Sequence, residues 1–115
     1  MSVPSVTTTL DRELALSRVG GDAELLKEIG ELFLEEYPRA LADLRKAVDS
    51  GDADGVERAA HGLKGSVANF GAQPVVEAAT TLEEMGRGHR LEEVEQVLRT
   101  LDLALAALRP ELESL

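Results

Sequence analysis

The sequence predicts an all-α fold, an up-and-down antiparallel four-helix bundle with a short additional N-terminal helix. Apolar residues recur at steps of three and four along several segments, which is the spacing of amphipathic helices. Only 3% of the residues are aromatic, so the core is expected to consist of Leu, Val, Ile and Ala, a composition typical of packed helices. The short connections between the segments favour antiparallel neighbours.

The N-terminal region is expected to consist of a flexible lead-in and a short helix. Residues 1 to 8 show no helical period, so one bundle domain is assigned to residues 9 to 115. Thr9 is the expected N-cap of a first helix over about residues 10 to 19, with acidic residues in its first turn. The glycine pair that follows ends this helix, because glycine adopts backbone conformations that other residues resist.

The second helix is predicted to begin after Asp22 and to end near Ser50-Gly51. Pro38 lies inside it and removes a backbone donor, so a bend is expected just before this residue. A break into two helices is the less favoured alternative, because the apolar stripe continues across the proline. The stripe consists of Leu26, Ile29, Phe33, Tyr37, Ala40, Leu41, Leu44 and Val48.

The third and fourth helices are separated by a Gly-Ala-Gln-Pro turn. Asp52 or Asp54 is expected to cap the third helix, which runs to about Phe70. Pro74 lies near the first position of the fourth helix, where its fixed backbone angle suits a helix start. Gly86-Arg87-Gly88 is expected to break the fourth helix. The apolar stripe of that helix consists of Val75, Ala79, Leu82 and Met85.

The last helix is predicted from an apolar stripe whose spacing alternates between three and four residues. Pro110 is expected to bend this helix or to end it early. Such a stripe needs neighbouring helices to cover it, which supports the bundle. Its members are Leu91, Val94, Leu98, Leu101, Leu105, Leu108 and Leu112.

Composition excludes several classes of function. The formal net charge of -10 opposes a large contact with phosphate backbones, so nucleic acid is not an expected partner. The chain has no cysteine, which excludes disulfides, thiolate metal sites and cysteine nucleophiles. The opening segment does not resemble a signal peptide, and no apolar run approaches the roughly 20 residues of a membrane-spanning helix. We therefore expect a cytoplasmic protein without membrane contact.

His61 is the candidate functional residue, because a helical wheel places it outside the core. At about 100° per residue, the apolar residues of the third helix lie roughly 160° to 260° from His61, which points about 150° away from their centre. On the same wheel Gly65 lies at about 40° and Lys64 at about 300°. Gly62, at about 100°, is compatible with a closely packed neighbouring helix or with an open surface. The apolar residues are Val56, Ala59, Ala60, Leu63, Val67 and Phe70.

This combination of residues suits phosphoryl chemistry. Imidazole is a nucleophile near neutral pH and can form a phosphoramidate when it is reachable and oriented. Lys64, one turn on, can bring its ammonium toward phosphoryl oxygens. Because a glycine inside a helix costs about 1 kcal/mol relative to alanine, we expect Gly65 to provide clearance for a docking protein.

The segment Ala60-His61-Gly62-Leu63-Lys64-Gly65-Ser66, followed by Gly71-Ala72, closely resembles the signature of histidine-containing phosphotransfer (HPt) domains. The resemblance implies that His61 accepts and returns a phosphoryl group, that Lys64 stabilises it, and that Gly65 lets the partner approach. It covers about residues 10 to 108 and includes Gly20-Gly21-Asp22, Phe33-Leu34-Glu35-Glu36, Ser50-Gly51-Asp52 and Leu82-Glu83-Glu84.

A polar residue on the following helix, commonly glutamine, often assists the histidine in relatives. The nearest candidate here is Glu83. Its charge would repel a phosphoryl group, so the sequence assigns it no role.

The resemblance implies a phosphorelay intermediate without kinase activity of its own. Its expected partners are response-regulator receiver domains and a hybrid histidine kinase, which exchange the phosphoryl group with the histidine. No cofactor or metal is expected on this chain, and Mg²⁺ is expected on the partner receiver. The chain is expected to be a monomer.

Other classes of protein fit less well. A metal-carboxylate bundle needs Glu-x-x-His pairs, but the residue three positions before each histidine is Arg58 or Gly86. No nucleotide-binding loop is present in the sequence, so an autonomous kinase is not expected. A binding-only module, acting as a scaffold or as an inhibitor of a histidine kinase, stays open as the alternative.

Overall fold

The computed structural model describes residues 10 to 115, and this part of the chain contains helices and no strand. The expected lead-in, residues 1 to 8, and the expected cap Thr9 lie outside the described residues. Among residues 10 to 115, no helix has the length and apolar character needed to cross a membrane. The helices are α1 (Arg12–Arg18), α2 (Ala23–Asp49), α3 (Ala53–Ala68), α4 (Gln73–Arg87) and α5 (Val94–Glu113).

Helices α2 to α5 form the predicted four-helix bundle. Each packs on the next in chain order, and α5 packs back on α2 to close the ring, while α1 contacts α2. The connections are short, so consecutive helices run antiparallel. The large core residues are Leu26, Phe33, Tyr37, Leu44, Val56, Leu63, Val67, Phe70, Val75, Leu82, Val94, Leu98, Leu101, Leu105, Leu108 and Leu112.

Aspartates begin the first three helices, because a carboxylate accepts amide hydrogens that a first turn leaves unpaired. Asp11 caps α1, Asp22 caps α2 and Asp52 caps α3, each accepting a hydrogen bond of 3.0 or 3.1 Å from the amide three residues on. The prediction for Asp22 is confirmed, whereas α1 begins at Arg12 after its cap Asp11 and not at about residue 10. For α3, Asp52 and not Asp54 is the cap.

The predicted break of α4 within Gly86-Arg87-Gly88 is confirmed. The helix continues to Arg87, and Gly88 is its C-cap. A Cβ atom built on Gly86 would lie 2.6 Å from the carbonyl oxygen of Ala53 and 2.6 Å from the amide nitrogen of Glu57. Gly86 itself is still helical, and glycine is required at this position because the backbones of α3 and α4 approach each other closely.

Both internal prolines lie within continuous helices. α2 runs through Pro38 without a break, so the alternative of two separate helices is wrong. α5 runs through Pro110 to Glu113, so the predicted early end is also wrong, and the helix begins at Val94 and not at Leu91. A proline removes one intrahelical hydrogen bond. The packing of the apolar stripes on either side of the proline stabilises the helix by more than this loss.

The turn after α3 allows α1 to lie across one end of the bundle. Gly71 has a φ of 60°, in the left-handed region that favours glycine. A Cβ atom there would lie 2.7 Å from side-chain atoms of both Asp11 and Leu14. The amide of Asp11 also donates a 3.0 Å hydrogen bond to the carbonyl of Phe70, which ties α1 to this turn.

Candidate functional site

His61 projects into solvent from the middle of α3. Its side chain is 69% exposed, whereas Val56, Ala60 and Leu63 on the other face of the helix are buried. The wheel prediction that His61 lies outside the core is therefore confirmed. An imidazole in this position is accessible to a second protein.

Glu83 on α4 holds one edge of the His61 ring. Nδ1 of His61 lies 2.8 Å from Oε2 of Glu83. Because an ionised carboxylate only accepts hydrogen bonds, the proton of the neutral ring must lie on Nδ1 and the free lone pair on Nε2. The contact therefore fixes the orientation of the ring and makes Nε2 its nucleophilic nitrogen.

The Glu83 carboxylate is buried and is surrounded by cationic groups. Its side chain is 6% exposed, and Nζ of Lys64 donates a 2.6 Å hydrogen bond to Oε1. Nη2 of Arg87 donates a 3.1 Å hydrogen bond to Oε2. The hydrogen bond from Lys64 holds the pKa of Glu83 below its usual value of 4.5, burial opposes this effect, and the hydrogen bond from His61 adds to it. Glu83 is therefore ionised at neutral pH.

Arg87 connects this carboxylate to a second acidic side chain. Its Nε donates a 3.1 Å hydrogen bond to Oε2 of Glu57, which lies one turn before His61 on α3. The Arg87 side chain is 60% exposed but bridges α3 and α4 beside the histidine. We refer to His61, Lys64, Glu83, Arg87 and Glu57 as the histidine cluster.

Two glycines of α3, Gly62 and Gly65, leave an open surface beside the histidine. A Cβ atom on Gly62 or on Gly65 would meet no atom within 4 Å. Gly65 is thus unpacked, as the wheel indicates, while the alternative of a closely packed helix at Gly62 is wrong. Gly62 borders a groove of about 300 Å³ between α2 and α3, with Phe33 and Tyr37 among its lining residues. The missing side chains leave room for a second protein to approach.

The sequence model of the Hpt domain family matches residues 28–111, which is most of the chain. The chain belongs to the Hpt domain family. The crystal structure of histidine-containing phosphotransfer protein B (HptB) from Pseudomonas aeruginosa PAO1 is similar to this Hpt domain, with a TM-score of 0.86 and 22% identity over 95% of each chain. No curated protein matches the chain by sequence. The predicted family and helical-bundle fold are confirmed, and membership of the family gives the chain a histidine phosphotransfer role in a phosphorelay.

Sequence reasoning assigned no role to Glu83, and the structure shows why the objection from charge does not hold. Glu83 contacts Nδ1 of His61, so Nε2 on the other side of the ring is the nitrogen left to react. The charge of Glu83 is also offset by Lys64 and Arg87. One local feature of the Hpt domain sequence indicates this arrangement. Glu83 and Arg87 are four residues apart, which places both on one helix face, where they can pair.

The second histidine of the Hpt domain lies away from this cluster. His89 is exposed in the connection after α4, and its Nε2 atom lies 3.6 Å from Oδ1 of Asp54. His89 is therefore a solvated loop residue. Within residues 10 to 115, no three His, Asp or Glu side chains come together in an arrangement that could hold a metal ion.

Proposed function

We propose that this Hpt domain accepts a phosphoryl group on Nε2 of His61 from a receiver aspartyl phosphate or a hybrid histidine kinase. It then passes the group to an aspartate of a response-regulator receiver. The observation that carries this proposal is the exposed imidazole whose Nδ1 is held by Glu83. That tautomer presents an unprotonated Nε2 as the nucleophile.

The transfer step follows from this geometry. The lone pair of Nε2 forms a bond to phosphorus, and the bond between phosphorus and the aspartyl oxygen breaks, so the carboxylate leaves with the electron pair. Nδ1 keeps its proton, and the ring gains positive charge as the new bond forms. The ionised Glu83, 2.8 Å from Nδ1, stabilises that charge in a fixed position. The reverse step returns the group to a second aspartate.

Lys64 has a supporting role in this proposal. Its ammonium is bound to Glu83 in the resting protein, but its side chain is 30% exposed and its four-carbon stem is flexible. It can therefore turn toward the phosphoryl oxygens once the group is on His61. There it would offset their negative charge without taking part in a bond-making step.

Gly62 and Gly65 provide the approach for the receiver. Transfer requires the reacting atoms to come within roughly 3 to 3.5 Å, and the open surface at these two glycines lets a receiver come this close. The receiver supplies Mg²⁺ and the aspartate, and this chain supplies no cofactor. We place the domain in the cytoplasm as a monomeric carrier that contacts neither nucleic acid nor membrane.

The test is phosphotransfer to the full chain from a phosphorylated receiver with Mg²⁺, or from a hybrid histidine kinase with ATP. We expect one phosphoryl group per chain, stable in alkali and lost in acid, as an N-P bond requires. A panel of receivers would identify the donor and acceptor. A chain that binds receivers but takes up no phosphoryl group would instead be a binding-only module.

A further inference from the structure

His61 and Arg87 share a single oxygen atom of Glu83. Oε2 accepts a hydrogen bond from Nδ1 of His61 at 2.8 Å and another from Nη2 of Arg87 at 3.1 Å. The other oxygen, Oε1, is bound to Lys64 at 2.6 Å. Glu83 thus has two cationic partners, and only Lys64 binds the oxygen that does not contact the histidine.

The proposed transfer removes one of these partners. When Lys64 turns toward a phosphoryl group on His61, Oε1 loses its hydrogen bond while the Glu83 side chain stays buried. A buried carboxylate without a counter-ion is strongly destabilised and tends to take up a proton. A protonated Glu83 would no longer offset the positive charge on the His61 ring. Another cation must therefore stay beside Glu83.

Arg87 meets this requirement by its placement. Within residues 10 to 115, the basic side chains bound to Glu83 are His61, Lys64 and Arg87, and the first two engage the phosphoryl group. Arg87 is anchored separately, since its Nε is bound to Glu57 on α3. The planar guanidinium can contact both carboxylates at once, which the point charge of a lysine does less well.

We propose that Arg87 is a positioning residue that keeps Glu83 ionised and Oε2 on Nδ1 of His61 while Lys64 is engaged with the phosphoryl group. The exchange of Lys64 rests on the proposed function. The influence of Arg87 on the His61 ring does not, because His61 and Arg87 already share Oε2 of Glu83 in the resting protein.

The first experiment measures the tautomer of the resting His61 ring. The full chain is labelled with nitrogen-15 at histidine, and NMR spectra are recorded at about pH 8.5, where an imidazole is neutral. The nitrogen shifts distinguish a proton on Nδ1 from one on Nε2. We expect the wild-type ring to carry it on Nδ1. Arg87→Ala should lower the Nδ1-H to Nε2-H ratio by about three- to tenfold, the effect of removing one charged hydrogen bond.

Two variants accompany Arg87→Ala. Arg87→Lys retains the charge but loses the planar contact, so it should restore part of the Nδ1-H population. It also serves as the test variant if Arg87→Ala does not fold. Arg90→Ala removes an exposed arginine outside the histidine cluster and should give the wild-type ratio. The solvated His89 ring serves as an internal reference in every spectrum.

The second experiment asks whether Arg87 acts through the charge of Glu83. Arg87→Ala should slow transfer from phosphorylated His61 by about three- to tenfold. In a Glu83→Gln background, where no carboxylate charge needs a counter-ion, adding Arg87→Ala should produce no further slowing.

Two results would overturn the inference. One is a wild-type tautomer ratio in Arg87→Ala. The other is an equal slowing by Arg87→Ala in both backgrounds, which would show that Arg87 contacts the partner directly. If the wild-type chain takes up no phosphoryl group, the proposed function fails, while the NMR experiment still decides the role of Arg87.

Discussion

Nδ1 of His61 and Oε2 of Glu83 lie 2.8 Å apart although 22 positions separate the two residues in the chain. The contact joins α3 to α4 and gives an exposed imidazole a defined direction. Which ring nitrogen carries the free lone pair is thus set by a carboxylate on another helix, and the properties of the site depend on how closely these two helices pack.

His61→Gln should abolish acid-labile phosphorylation and leave the helical circular dichroism unchanged. The reason is that the His61 side chain is 69% exposed, so its replacement removes the nucleophile without disturbing the core. His89→Gln is the matched control and should be labelled like the wild type. Labelling that persists in His61→Gln, or that is lost only in His89→Gln, would show that the acceptor has been misassigned.

Lys64→Ala should slow transfer by about 10 to 100-fold, the effect of losing one charge-assisted hydrogen bond to the phosphoryl group. Rapid-quench kinetics with a phosphorylated receiver would measure it. Lys27→Ala, which removes an exposed lysine on α2, is the control and should transfer at the wild-type rate. Equal transfer rates in the Lys64 variant and the control would show that Lys64 is only a structural partner of Glu83.

Gly65→Gln should separate stability from transfer. A side chain at Gly65 would meet no atom of the protein, and a good helix former there should leave stability unchanged or raise it by up to about 1 kcal/mol. Transfer should fall sharply, because the side chain keeps the receiver from close approach. Thermal melts and transfer rates on the same protein decide this, and a melting temperature several degrees lower would identify Gly65 as a packing residue.

Gly86→Ala should destabilise the protein by roughly 1 to 3 kcal/mol, the usual effect of overpacking. A Cβ atom there would lie 2.6 Å from backbone atoms of α3, so the two helices must move apart. Gly65→Ala is the matched control, since the same change at an open position should be neutral or stabilising. Urea denaturation compares the two variants. Equal stability would mean that α3 and α4 separate without cost.

The contribution of Glu83 to stability should depend on pH. Its pKa in the folded protein is held below the usual 4.5, mainly by Lys64, so the stabilisation is complete above about pH 4.5 and is lost as the pH falls through the lower, folded-state value. Thermal melts between about pH 7 and pH 3 should therefore show a steeper acid decline for the wild type than for Glu83→Gln. Parallel declines would indicate that the Glu83 contacts add no net stability.

The sequence by itself determined the helices and the direction of His61. Apolar spacing predicted α2 to α5, Asp22 marked the start of α2, and a wheel drawn on α3 alone placed the histidine outside the core. These features depend on residues close together in the chain, because the geometry of a helix repeats with a known period. The same wheel showed that Gly65 does not pack against the core.

Only the tertiary structure decided what surrounds the histidine. A wheel gives angles within one helix, but the rotation and separation of two helices follow from the packing of the whole core. Glu83 looks like an ordinary surface carboxylate in the sequence, since such residues are mostly exposed, and becomes a buried partner of His61 only when α4 lies against α3. The sequence likewise marked Gly86 as part of a helix end but not as a contact with the backbone of α3, which is about 30 positions away in the chain.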